Sequence, residues 1–256
     1  MWQVSMLNKV FIVIFLCANS LYGSFVIRDD FVKVFDVSLG SNVAGSLSLY
    51  NPSDVAVSVN VTQADYAYTQ VGDDYFIEPG KYERSNARWI SFQNTILLPP
   101  KENIIYSYTI NVPKDRTLMG SYWSVLFFEE IMSTPTSNID ELNLDFRYCI
   151  QIISSIKNTG TIDLSYANVA FYDNSIVLSL RNSGNLWIDA SIKIDIFDDD
   201  AKLINSHTTE NHRVYPELDK KFKIPIPALK PANYYAIIVV DCGDNKVFGH
   251  QLSFRN

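Results

Sequence analysis

Three histidines, two thiols and an acidic trio are the side chains of this chain whose types and spacing could do chemistry. His207 and His212 stand five apart in Ser206-His207-Thr208-Thr209-Glu210-Asn211-His212. On one hairpin they would converge on a single ion. Zinc, however, takes four protein ligands in a structural site and three plus water in a catalytic one, and no third ligand is evident. His250 also sits near a turn. None of the three has a partner at helical i, i+4 spacing or a cysteine beside it, so they read as surface histidines rather than as a metal centre or a base beside a nucleophile. Asp198-Asp199-Asp200 offers the oxygens that calcium prefers, but without the pattern of an EF-hand loop, and reads as a solvated β-turn. Asp73-Asp74 reads the same way, as a hairpin tip between Tyr68 and Tyr75. No catalytic, cofactor-binding or metal-binding residue is assigned.

Cys149 and Cys242 are the thiols that remain once Cys17 is removed with an export leader. Outside the cytoplasm a disulfide persists. A bond between them would close a loop of about 93 residues and stabilise the fold by roughly 4–5 kcal/mol in the chain-entropy model. Two separate buried thiols, packing as small hydrophobes, are the alternative.

The leader is read from Lys9 and the apolar run over residues 10–17, too short for the ~20 residues that span a bilayer. Cleavage after Gly23 is preferred to cleavage after Ser20. No later segment is apolar for long enough to cross a membrane as a helix. The formal charge is −7, and losing Lys9 makes it −8 (−7 less +1). Such a chain is a poor partner for nucleic acid, which needs clustered Lys and Arg. The longest cationic cluster, Lys220-Lys221-x-Lys223, alternates with Phe222 and Ile224 and reads as the wet face of a strand.

The elements that would hold these residues are strands. Tyr106, Tyr108, Ile110 and Val112 alternate with Ser107, Thr109 and Asn111, and Ile192, Ile194 and Ile196 with Lys193 and Asp195. This period of two marks half-buried antiparallel strands. Apolar residues never recur at i, i+3, i+4 and i+7 for more than about a dozen residues, so no sizeable helix is expected.

The chain also repeats itself. Leu47-Ser48-Leu49-Tyr50-Asn51-Pro52-Ser53 and Leu178-Ser179-Leu180-Arg181-Asn182-Ser183-Gly184 are each an alternating strand running into an Asn-led turn. Leu98-Pro99-Pro100 followed by Gly120-x-Tyr122 is echoed by Tyr215-Pro216 followed by Pro231-x-x-Tyr234. The fold class expected is all-β: two tandem immunoglobulin-like β-sandwich domains after a signal peptide. The signal peptide covers 1–23, the first sandwich 24–132, a linker or long hairpin 133–145 and the second sandwich 146–256. The run 123–128 closes the first sandwich, and Cys149 then falls on the first strand of the second.

Asn51-Pro52-Ser53-Asp54, Asp65, Pro79-Gly80, Ser85, Trp89-Ile90, Leu98-Pro99-Pro100, Val112-Pro113, Gly120 and Tyr122 together resemble the extracellular domain of bacterial proteins that interact with WxL surface proteins. That resemblance implies binding of peptidoglycan. Through its Asn-Pro turn, and through Val112-Pro113-Lys114-Asp115-Arg116 leading into Tyr122-Trp123, the same half is similar to the PapD-like periplasmic pilus chaperones. Those hold a subunit's terminal carboxylate with an Arg and a Lys and complete its sheet with an edge strand. Arg28 and Lys157 are the candidate counterparts of that pair, although their spacing from the flanking motifs departs from the pattern.

The functional expectation is a non-enzymatic, exported envelope protein, periplasmic or at the cell surface, acting through loops or sheet edges. Its partner is a protein or a cell-wall component, a surface or pilin-like subunit among the candidates, and it takes no cofactor. The alternative is a pilus-assembly-type chaperone capturing subunits by strand addition. A hydrolase or metal enzyme built from loops is the rival from another class. Trp89 and the Tyr-rich strands suit a sugar or peptide platform as well as a core; a core Trp between two sheets is the reading adopted.

Overall fold

A computed structural model describes residues 25–69, 73–131, 147–243 and 246–256. The expected leader and the expected linker at 133–145 lie outside these residues. No helix in the described part is long and apolar enough to cross a membrane, and a three-residue 3₁₀ turn, Ala87–Trp89, is the one helical element there.

The first half holds β1 (Val26–Ile27), β2 (Val32–Val37), β3 (Asn42–Tyr50), β4 (Val57–Tyr68), β5 (Asp74–Ile77), β6 (Ile90–Phe92), β7 (Thr95–Leu98), β8 (Asn103–Asn111), β9 (Ser121–Glu130) and β10 (Arg147–Ile156). The second holds β11 (Leu164–Tyr172), β12 (Ser175–Asn182), β13 (Ile188–Asp198), β14 (Leu203–Thr208), β15 (His212–Val214), β16 (Asp219–Pro225), β17 (Asn233–Asp241) and β18 (Val247–Arg255). One sandwich pairs the sheet β1-β3-β8-β6 with the sheet β2-β10-β9-β4-β5, where β7 also lies on β4. The other pairs β11-β12-β16 with β14-β13-β17-β18, where β15 also lies on β13. Each has its own apolar interior, one centred on residues such as Leu49, Ile110 and Leu126, the other on Leu178, Ile194 and Ile238.

The repeat seen in the sequence is a repeat of pairing. β1-β3-β8 answers β11-β12-β16; β4 with β5, β7 and β9 answers β13 with β14, β15 and β17; β9-β10 answers β17-β18. At the matching corners Asn51 and Asn182 are both fully buried. The Asn51 Oδ1 accepts from the Ser53 N–H, while its Nδ2 donates to the carbonyls of Val55 and Leu98. The Asn182 Oδ1 accepts from the Gly184 N–H, and its Nδ2 donates to the carbonyls of Leu186 and Val214. One amide thus closes an Asx-turn and ties the end of one strand to the opposite sheet, which is why the same residue type stands at both corners.

One expectation is corrected and one alternative is removed. The first sandwich does not end with β9: β10 pairs antiparallel with β9 from Arg147↔Glu129 to Ser155↔Ser121 and parallel with β2 from Gln151↔Val32 to Ile156↔Val37. Residues 147–156 therefore belong to the first sandwich and not to the second. Of the two readings left open for the thiols, the disulfide is the one not found. Cys149 lies on β10 of the first sandwich, Cys242 is buried in the interior of the second, and both thiols are free. Loss of solvent pushes each thiol up to about 11, so neither is a ready nucleophile at neutral pH. Both thiols are expected to react slowly with a thiol reagent at pH 7.5 in the native protein and at once in urea. The melting temperature is expected to be unchanged by a reductant; a drop of several degrees would show a bond instead.

Candidate functional site

Strand β10 has two edges in different states. Its β9 side is bonded along the whole strand, whereas on the other side the ladder with β2 begins at Gln151, whose N–H donates to the Phe31 carbonyl. Hydrogen-bonding direction alternates along a strand in an antiparallel ladder. Arg147 and Cys149, in phase with Gln151, therefore direct N–H and C=O away from β9, at a stretch where no described strand takes them up. Beside this open stretch Phe31 is 50% exposed, with its ring 6.0 Å from that of Tyr148. Unpaired backbone next to an exposed apolar side chain is the surface an extended segment can join.

The outer face of the same sheet carries the second sandwich. Tyr215, in the turn between β15 and β16, stacks on Trp123 of β9 at 4.5 Å between ring centroids and meets Tyr66 edge-on at 5.6 Å. Its N–H donates to the Tyr68 hydroxyl at 3.0 Å, and its own hydroxyl donates to Gln151 Oε1 at 2.8 Å. Trp123 Nε1 donates to the Tyr66 carbonyl at 2.8 Å. Burial holds the phenols of Tyr66, Tyr68 and Tyr215 well above the usual range, so they stay protonated.

At the rim Arg84 pairs with Glu217 through Nε and Nη2, both at 2.8 Å from Oε1. The Lys220 amine, whose pKa is lowered chiefly by desolvation, donates to the Arg213 carbonyl at 3.1 Å and lies 5.1 Å from the Tyr68 ring centroid. Further round, the Ser121 N–H donates to the Asn185 carbonyl at 2.8 Å, and the Gly120 N–H to Thr159 Oγ1 at 2.9 Å. Gly120 sits at φ +73°, and a Cβ there would fall 2.0 Å from the Asn185 carbonyl oxygen, so no other residue fits this crossing unstrained.

The sequence-derived candidates are scattered over this frame. Arg28 stacks over the Tyr50 ring at 3.6 Å, beside the start of β2, whereas the Lys157 N–H bonds to the Val37 carbonyl at the other end. Strand β2 separates them by about 20 Å at ~3.3 Å per residue, so they form no joint anchor. Asp198 spends its carboxylate on the N–H groups of Asp200 and Lys202, closing the hairpin. Asp74 opens β5 and accepts from the Tyr66 hydroxyl. Trp89 is buried in the first interior, its ring 4.8 Å from that of Tyr122. His250 on β18 packs its ring 4.9 Å from that of Tyr166. His207 and His212 do meet, across a groove of about 390 Å³, but in the company of Lys221 and Lys223. Of the cationic cluster, Lys221 and Lys223 face water, while Lys220 turns inward toward the first sandwich.

Solved structures match this arrangement over nearly the whole chain. A complex titled as a chaperone-tip adhesin complex in CFA/I fimbriae biogenesis is 16% identical, with a TM-score of 0.53 over 90% of this chain and 98% of that one. The class 5 fimbriae chaperone CfaA is 17% identical, with a TM-score of 0.51 and the same coverage. The CsuC-CsuE chaperone-tip adhesion subunit complex of Acinetobacter baumannii archaic Csu pili is 13% identical, with a TM-score of 0.50 over 90% of this chain and 98% of that one. The fold is PapD-like. No protein-family model and no curated protein matches the sequence, so the resemblance to WxL-interacting domains finds no support.

Sequence reasoning missed the junction between the sandwiches formed by Tyr215, Trp123, Arg84 and Glu217. A signal was present: residues 122–128 are apolar without alternation except for Ser124, which marks a strand covered on both faces. The open stretch of β10 left no such mark, because an unpaired backbone edge has no residue signature of its own.

Proposed function

We propose that this protein is a non-enzymatic, exported binding protein that captures a partner polypeptide by strand addition, as a pilus-assembly-type chaperone working in the periplasm. The observation that carries the reading is the half-paired β10, with outward N–H and C=O at Arg147 and Cys149 beside exposed Phe31. The likeness of the fold to chaperones solved with adhesin subunits supports it, and favours subunit capture over a wall-binding scaffold. The partner's backbone would bond to β10 while an apolar side chain covers Phe31. The cleft anchor is not carried over to Arg28 and Lys157, which stand at opposite ends of β2.

The test uses one atom. Cys149→Pro deletes an outward N–H and leaves the bonds to β9 in place, a substitution an edge position tolerates. Tagged protein recovered from the envelope of its own cell is expected to carry a stoichiometric partner, and C149P is expected to lose it while keeping its strand content by circular dichroism. A partner retained by C149P would defeat the reading. So would the absence of any stoichiometric partner from the parent protein.

A further inference from the structure

The two sandwiches differ at one edge. In the first, β8 is flanked by β6, with Ile90↔Ile110 and Phe92↔Tyr108 in register, so that the order β1-β3-β8-β6 has four strands. In the second, the corresponding sheet stops at β16. Residues 209–211, which join β14 to β15, are too few to supply the missing strand. The wider sheet opposite is left overhanging: every residue of β14 is exposed or half-buried, and its His207 faces the vacant place. That place is the groove of about 390 Å³ described above.

The backbone there is available. The Ile226 N–H bonds to the Asn174 carbonyl and Ile224 is in register with Ile176, so the alternate residues Lys221 and Lys223 point N–H and C=O outward. Pro225 contributes a carbonyl only. A neutral strand would gain these bonds but would set its side chains against the exposed Lys221 and Lys223, which is the device by which an edge rejects indiscriminate pairing. On the inner side it would meet His207, Thr209 and His212 together with Phe222 and Ile224 of β16, a lining of mixed polarity. No carboxylate lines the groove; Asp173, 2.9 Å from the Lys223 amine, lies at its border in an exposed pair that water screens.

We propose that an extended, carboxylate-bearing segment of a partner protein adds as a fourth strand to β16, in the place β6 occupies in the first sandwich. Its backbone bonds to Lys221 and Lys223, its acidic side chains lie across from their amines, and its inward side chains are small, such as Thr, fitting between Phe222 and Ile224 on one side and His207, Thr209 and His212 on the other. The groove's own lining, with three lysines, two histidines and no carboxylate, is what favours an acidic segment over a neutral one here. The inference is independent of strand addition at β10, which lies on the other sandwich.

The probe is a fluorescent heptapeptide of alternating Thr and Glu, titrated by anisotropy against the full chain at low salt, beside its Thr/Gln counterpart. Binding of the Glu peptide is expected to be about tenfold tighter than that of the Gln peptide, as two opposite-charge cross-strand pairs would give. It is expected to weaken about tenfold in Lys221→Gln/Lys223→Gln and to vanish when alternate peptide nitrogens are methylated. Equal affinity for the two peptides, or binding unchanged in the double variant, overturns the proposal. Binding that survives methylation overturns it in favour of a simple ion-exchange surface. A concentration-dependent dimer that the double variant abolishes overturns it in favour of a second copy of this chain.

Discussion

Replacing Tyr215 by Ala is expected to uncouple the two sandwiches. The ring is almost wholly buried, yet it belongs to neither main interior: it fills the junction between Trp123, Tyr66 and Tyr68. Truncating an aromatic ring in such a site removes its burial and leaves a hole, at a cost of about 3–4 kcal/mol. The loss falls on the contact between domains, so scanning calorimetry is expected to show the melting profile splitting into two transitions. Tyr215→Phe keeps the stack and gives up only the bond to Gln151, at about 1 kcal/mol, and is expected to retain the parent profile. The role assigned to the ring is wrong if Y215A and Y215F melt alike.

Removing the amide at each repeated corner is expected to have a comparable effect, confined to one sandwich at a time. Asn51→Ala takes the side-chain donor from the Leu98 carbonyl and leaves that of Val55 with the Ser53 hydroxyl alone, and Asn182→Ala takes the same donor from the carbonyls of Leu186 and Val214. Stranding buried carbonyls together with loss of the turn bond costs about 2–4 kcal/mol at each site. The two asparagines share no partner, so their effects are expected to add in the double variant. Hydrogen exchange reads the location: N51A is expected to expose amides of β3 and β8, and N182A those of β12 and β16. Exchange that rises equally in both halves for either variant would show that the corners are not separate, and the duplication would lose its energetic meaning.

Much of this was legible beforehand, for definable reasons. The period of two along 106–112 and 192–196 yields strands because successive side chains of an extended chain must face opposite sides. The two Asn-led corners were recognisable because an Asx-turn writes its requirement into one residue type at a fixed place. The boundary after β9 was misread because strand β10 looks alike whichever sheet it joins: its isoleucines fit either interior, and only the ladders to β9 and β2 assign it. Pairing Cys149 with Cys242 failed for the same reason, since moving β10 to the first sandwich moves its thiol with it. His207 and His212, considered only conditionally as a pair, line one groove, where their neighbours on β16, further along the chain, are lysines rather than further ligands.

By itself the sequence determined what depends on neighbours along the chain: extended strands, turns, a duplicated unit, two apolar interiors and the absence of long helices. Tertiary structure alone decided which edges no described strand pairs, those at β10 and β16 among them, and which face of β9 the second sandwich covers. The physical reason is that side chains report their own burial, whereas a strand's backbone N–H and C=O groups are the same at every position. Whether those groups are satisfied depends on which distant strand the fold brings alongside.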